Sequence, residues 1–206
     1  MKNSTNIIFA LLFVIMSSTV TAEDFKAEDA REHIKTTAEY VIDHIKTHRS
    51  ELEQNPSQLY ALVQEKLVPI IDFKRVSRWI LGKHWRKATE AQRSKFTNEF
   101  TKLLIKTYST ALLKISDEII TYPPARGDAK DGKVGVKSVI TLPDGRQFNV
   151  QYRMHHKDQG WKLYDISVDG VSLISTYRYS FKTEIRNVGL DGLLANLAEK
   201  NKGFSL

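Results

Sequence analysis

The chain has 206 residues, 41% of them hydrophobic, a formal net charge of +7 and no cysteine. The missing cysteines exclude a disulfide framework, a thiol nucleophile, a cysteine metal site and a lipidated N-terminal cysteine. The length suffices for a proper core in one domain or two tightly joined subdomains.

Lys2 precedes an apolar run from Ile7 to Met16, then small residues, then Val20-Thr21-Ala22. That is a positive start, an apolar run of signal-peptide length and an A-x-A-like cleavage site; the run is too short for a good transmembrane helix. Residues 1–22 are therefore expected to be a cleaved signal peptide, with the mature chain starting near Glu23. Export without disulfides fits a bacterial periplasm, where a soluble, unanchored protein is expected. Losing Lys2 takes the charge from +7 to +6. The excess is uneven: Lys74, Arg75, Arg78, Lys83, Arg86, Lys87, Arg93 and Lys95 crowd one region. Export argues against nucleic acid, which leaves an anionic membrane surface or an acidic protein, set against a solvated face with no specific partner.

Lys26 to His48 reads as a helix with Ile34, Ala38, Val41, Ile42 and Ile45 on one face. Asn55-Pro56 opens a second, with Leu59, Leu62, Val63 and Leu67 as its stripe and Pro69 as its stop. Asp72 to Leu81 is a short helix bearing Phe73, Val76 and Ile80, ended by Gly82. Thr89 and Gln92 then form a T-x-x-Q capping box. It opens a long helix whose apolar stripe runs Phe96, Phe100, Leu103, Leu104, Thr107, Tyr108, Ala111, Leu112 and Ile115. This stripe is a core face, or a core face that also lines a cavity for an apolar ligand.

After Ile115 the hydrophobic period falls from about 3.6 to 2. Glu118 to Tyr122 is a first strand; Val134, Val136, Ile140 and Leu142 alternate in a second; Pro143-Asp144-Gly145 turns the chain. Phe148, Val150, Tyr152 and Met154 alternate in a third, and Asp158-Gln159-Gly160 leads into Trp161 to Val168. Strict alternation places Tyr164, Ile166 and Val168 on the apolar face and turns Trp161 and Leu163 away. Val171 to Val188 is helical, Gly189 breaks it, and Leu190, Leu193, Leu194 and Leu197 mark a last helix. Helices, then strands, then helices predict an α+β fold.

Chemical motifs are few. Gly127-x4-Gly132-Lys133 starts like a phosphate-binding loop, but Val134 stands where Ser or Thr is needed and a strand follows instead of a helix. His44 and His48 have metal-ligand spacing without a third ligand, and His155 and His156 point to opposite strand faces. Ser172 lacks a nucleophile-elbow context and an obvious partner, and Asp165 with Asp169 on one strand face is an acid–base pair only if a cleft holds it. No catalytic constellation or metal site is predicted.

At Leu81-Gly82-Lys83-His84-Trp85, followed by Ala88-Thr89-x-x-Gln92-Arg93, the chain resembles the toluene-tolerance (MlaC) family, the periplasmic phospholipid carriers of the Mla pathway. The resemblance continues through Leu104-x3-Tyr108-x2-Ala111-Leu112, Trp161-x2-Tyr164-Asp165, Gly170-Val171-Ser172-Leu173-Ile174 and Gly189-Leu190-Asp191-Gly192-Leu193. It implies a single carrier domain over residues 23–206, helical over about 23–116 and 171–206 with the sheet over about 117–170. A curved antiparallel sheet of about four strands would pack against the helices with an apolar cavity between. It further implies a shuttle, not an enzyme, that maintains outer-membrane lipid asymmetry, with phospholipid as cargo and no cofactor. Its partners would be an inner-membrane MCE-domain protein of an ABC transporter and an outer-membrane lipoprotein–porin complex.

The physical demand agrees. About thirty acyl methylenes at roughly 0.8 kcal/mol each amount to about 24 kcal/mol of exposure in water, so a carrier must enclose the tails. Phe100, Leu104, Tyr108 and Leu112 are expected on one wall, Phe148, Val150, Tyr152, Tyr164 and Ile166 on the opposite one, and Val171, Ile174 and Tyr177 at an end. Lys83, Arg86 and Lys87 are the expected docking residues. The alternative is a periplasmic protein-interaction adaptor with a filled core and a basic docking face; a hydrolase using scattered Asp and His residues is weaker still.

Overall fold

A computed structural model describes residues 26–125, 129–157 and 160–204. The expected signal peptide lies outside them, as do Gly127 of the glycine motif and Asp158-Gln159 of the last hairpin. Among the described residues no helix is long and apolar enough to cross a membrane.

Among the described residues, seven α-helices and five strands follow one another in blocks. Helices α1 (Ala27–Thr47), α2 (Arg49–Gln54), α3 (Pro56–Lys66), α4 (Phe73–Leu81), α5 (Lys83–Lys87) and α6 (Glu90–Leu112) come first. Strands β1 (Ile119–Thr121), β2 (Lys133–Thr141), β3 (Gln147–Lys157), β4 (Gly160–Val168) and β5 (Val171–Ser172) follow, and α7 (Leu173–Lys200) closes the chain. The strands form one antiparallel sheet in sequence order, the α+β arrangement with one strand more than predicted. The extra strand is β5, whose two residues were expected in the helix; Ser172 instead N-caps α7 by accepting from the Ser175 N–H.

Several ends are chemically determined. Thr89 and Gln92 make the reciprocal capping box of α6. At the other end of α6, the carbonyls of Leu113 and Ile115 accept from the Arg49 guanidinium. Gly189 breaks α7 at φ 74°, ψ 175°, a backbone conformation open only to glycine.

The main core joins α4, α6 and α7. Phe96 and Phe100 stack on α6 with ring centroids 5.7 Å apart, and Phe181 meets both edge-on at 5.8 and 5.9 Å. A second core lies between α1 and the sheet, holding Ala30, Ile34, Val136, Met154, Trp161 and Leu163. Trp161 and Leu163 thus face inward, against the alternation prediction. The register slips between Arg153 and Met154, so Tyr164 is the extra residue of a β-bulge. Leu163 pairs with Met154 and Ile166 with Tyr152, all on the inner face, while Tyr164 goes to the α4–α6–α7 core and meets Trp79 edge-on at 5.2 Å.

Candidate functional site

Between helices and sheet lie two apolar cavities. The larger, about 540 Å³, is walled by Leu104, Ile105, Tyr108 and Leu112 of α6, by Ile166 and Val168 of β4 and by the start of α7. Its floor is Val63 of α3, the α3–α4 connection and Phe73. The smaller, about 280 Å³, sits under α1 against Ile120, Ile140, Tyr152 and Leu163 of the sheet. Leu67, Ile71, Leu112 and Ile166 line both, so these four side chains form a shared neck. Each volume approaches or falls within the range of about 300–1,000 Å³ typical of small-molecule sites. The larger cavity has an apolar rim, with Tyr108 45%, Val168 44% and Val171 68% exposed.

Of the predicted wall residues, Leu104, Tyr108, Leu112, Ile166 and Val171 line the larger cavity, and Tyr152 joins Leu112 and Ile166 on the smaller. Phe100, Tyr164 and Ile174 are instead fully packed in the α4–α6–α7 core. Phe148 and Val150 lie on the inward strand face but line neither cavity. Tyr177 stacks edge-on against Phe100 at 5.0 Å and brings its hydroxyl within 3.4 Å of the Tyr108 hydroxyl; burial pushes its phenol well above the usual tyrosine range.

Among the lining residues that periodicity did not single out are Val68, Ile70 and Ile71 of the α3–α4 connection, Leu67-Val68-Pro69-Ile70-Ile71. Its excess of large apolar residues outside a long helix is a signal in itself, since such a loop must cover something. Pro69 stops α3, as predicted, and the loop then runs a single 3₁₀ turn into a bridge from Ile71 to Leu163.

The polar groups at the cavity are sparse. Tyr152 shares a 3.2 Å hydrogen bond with Ser138, and burial, opposed by that bond, raises its phenol pKa. Ser109 is 1% exposed, lines the larger cavity, and has no hydrogen-bond partner for its hydroxyl among the described residues. An unpaired buried hydroxyl costs roughly 1–3 kcal/mol. Ser109→Ala is therefore expected to stabilise the lipid-free protein by about 1 kcal/mol, read as a rise in urea midpoint with an unchanged slope.

The cavity floor is anchored by a buried polar knot. Asp72 caps α4 by accepting from the Arg75 N–H at 3.0 Å, and it also accepts from His155 Nε2 at 3.0 Å and Lys157 Nζ at 2.6 Å. Its own N–H donates to the Leu163 carbonyl, which ties the α4 start, and with it Ile71 and Phe73, to the sheet. Arg75 donates to His155 Nδ1 at 3.3 Å and lies over the Tyr164 ring. A donor on Nδ1 and an acceptor at Nε2 define a neutral imidazole with its proton on Nε2.

Burial and the Arg75 charge, partly offset by Asp72, hold the His155 pKa below its ordinary value. Burial pushes the Asp72 carboxyl up, but Lys157, the Arg75 N–H and His155 outweigh it and hold it low. Both signs point the same way. The unfolded chain protonates His155 first as pH falls through about 6.5, and Asp72 support is lost further down, below about 4. Stability should therefore fall in two steps on acidification, and His155→Gln should shrink the upper one in urea titrations at pH 7.5 and 5.5; His33 and His84, also held below their ordinary pKa by burial, supply the remainder.

The other candidate chemistry is structural. Asp165 is 4% exposed and accepts from Ser172 Oγ at 3.0 and 2.8 Å and from the Ile174 N–H at 3.2 Å, so Ser172 does have a partner, one that secures the start of α7. Asp169 turns away and accepts from the Asn149 N–H at 2.8 Å, so the two carboxylates do not converge. His44 and His48 stack at 4.3 Å, and no metal-binding cluster occurs among the described residues. Lys83, Arg86 and Lys87 lie exposed on or beside α5.

Comparison with known proteins agrees with this architecture. A solved structure of the phospholipid-binding protein from Ralstonia solanacearum, in complex with a phospholipid, superposes with a TM-score of 0.76 at 34% identity, covering 84% of this chain and 96% of that one. The toluene tolerance protein ttg2D of Pseudomonas putida is 28% identical over 167 residues, 80% of this chain and 77% of its own. The intermembrane phospholipid transport system binding protein MlaC of Haemophilus influenzae is 21% identical over 192 residues, 92% of this chain and 90% of its own. The family model described as MlaC protein matches residues 35–199, most of the chain, and the protein therefore belongs to the MlaC family.

Proposed function

We propose that this protein binds phospholipid in the periplasm and carries it between outer- and inner-membrane complexes, maintaining outer-membrane lipid asymmetry. The observation that carries the reading is the pair of apolar cavities, about 540 and 280 Å³, meeting at a shared neck and opening through an apolar rim. Acyl tails would occupy both compartments, and the head group would stay at the rim of Tyr108, Val168 and Val171. The printed names of the relatives support the cargo: one is a phospholipid complex and one an intermembrane phospholipid transport protein. Residues 23–206 would act as one carrier domain behind a cleaved signal peptide. Its partners would be an MCE-domain protein of an inner-membrane ABC transporter and an outer-membrane lipoprotein–porin complex, engaged in part through Lys83, Arg86 and Lys87. Transfer needs no bond chemistry, and the buried carboxylates Asp72 and Asp165 already serve as helix caps.

Native mass spectrometry of the purified protein, with solvent extraction of bound lipid, tests the proposal. Stoichiometric phospholipid is expected. A bare polypeptide that also refuses added phospholipid would overturn it in favour of the adaptor reading, against which two open apolar cavities already weigh.

A further inference from the structure

We propose that a hollow between the α4–α5 turn and α7, separate from the lipid cavities, binds an oxyanion of the phosphate class. It measures about 220 Å³ and shares no lining residue with either apolar cavity. Lys83, His84, Arg178 and Lys182 surround it over Gly82 and Ile185, and among the described residues no carboxylate lines it.

The guanidinium of Arg178 is positioned by the fold. Gly82 turns at φ 54°, and a Cβ there would stand 3.1 Å from Arg178 Nη2. The glycine thus lets the guanidinium lie against the backbone. There its donors find no hydrogen-bond or ion-pair partner among the described residues. Arg178 and Lys182 are four apart on α7, a like-charge spacing that is unfavourable by itself. The residues three and four positions either side of them include no acid. Burial, with the charges of Lys83 and Lys87, holds His84 below its ordinary pKa, as a positive potential requires. A forked guanidinium with two lysines lining the same hollow matches the charge of a phosphate group and offers it a bidentate donor. Free phosphate and a lipid head group at a membrane surface are the two sources of that group. This site stands independently of the cargo reading.

The test is a ¹⁵N NMR titration of the purified protein with inorganic phosphate, followed at the amides of Gly82, Lys83 and His84. Saturable shifts are expected, weakened about tenfold in Arg178→Gln and in Lys182→Gln, one charge-assisted contact each. Lys46→Gln, an exposed lysine on α1, should leave them unchanged. Sedimentation with phosphatidylglycerol vesicles then separates the sources. Vesicle binding that Arg178→Gln abolishes and phosphate competes away assigns a lipid head group; phosphate binding without vesicle binding assigns a soluble anion. No phosphate response, or equal weakening by Lys46→Gln, overturns the site. Binding of a polyglutamate peptide without phosphate binding also overturns it, in favour of protein docking.

Discussion

Tryptophan at Ile166 or Leu112 is expected to strip the protein of its lipid while leaving it folded. Both side chains are half-buried and belong to the neck shared by the two cavities, so added bulk projects into empty space and not into packed core. The usual overpacking cost of about 1–3 kcal/mol therefore largely falls away. The cost falls on the cargo. Each acyl methylene held out of the cavity loses about 0.8 kcal/mol, so excluding half a dozen costs about 5 kcal/mol, a thousandfold or more in retention. Lipid phosphorus per protein, measured after purification beside a thermal melt, reads both halves. A folded Ile166→Trp, Leu112→Trp double variant that retains stoichiometric lipid would remove the neck from the binding path. Val150→Trp is the informative contrast, because Val150 is 6% exposed and lines neither cavity, so its substitution should lower stability before it lowers lipid content.

That contrast marks how far the amino-acid sequence alone reaches. The capping box, the proline and glycine stops and the change of period are local signals, and the elements they predict are present. The side chains that meet across elements are a different matter. The α6 stripe looks continuous, yet its N-terminal half, Phe96 and Phe100, packs on α4 and α7, whereas Leu104, Tyr108 and Leu112 face a cavity. Periodicity identifies an apolar face without saying whether the facing volume is filled. It also passes over Ile105 and Ser109, both buried on α6, each one position beyond the apolar stripe. On β4, a single bulge at Tyr164 reverses the alternation and brings Trp161, Leu163, Ile166 and Val168 to one face. No pattern of period 2 contains that information. The knot of Asp72, His155 and Lys157 joins residues more than eighty positions apart, where one sequence has no way to pair them.

Phe100→Ala should unfold much of the protein's stability without acting on lipid binding directly. Phe100 is fully buried, stacks on Phe96, and meets Tyr177 and Phe181 edge-on at 5.0 and 5.9 Å. Truncating such a ring costs about 3–5 kcal/mol, out of a total that for a domain is only about 5–15 kcal/mol. In a chain of this size that is a fall of roughly 10 °C in Tm. The measurement belongs on delipidated protein, since bound lipid would add its own stabilisation by mass action and mask part of the loss. The folded fraction should still take up lipid, because the ring lies behind the cavity wall and not in it. Normal stability with lost lipid would move Phe100 from the core into the binding surface, and the boundary between filled core and cavity would then lie one helical turn nearer the α6 N-terminus.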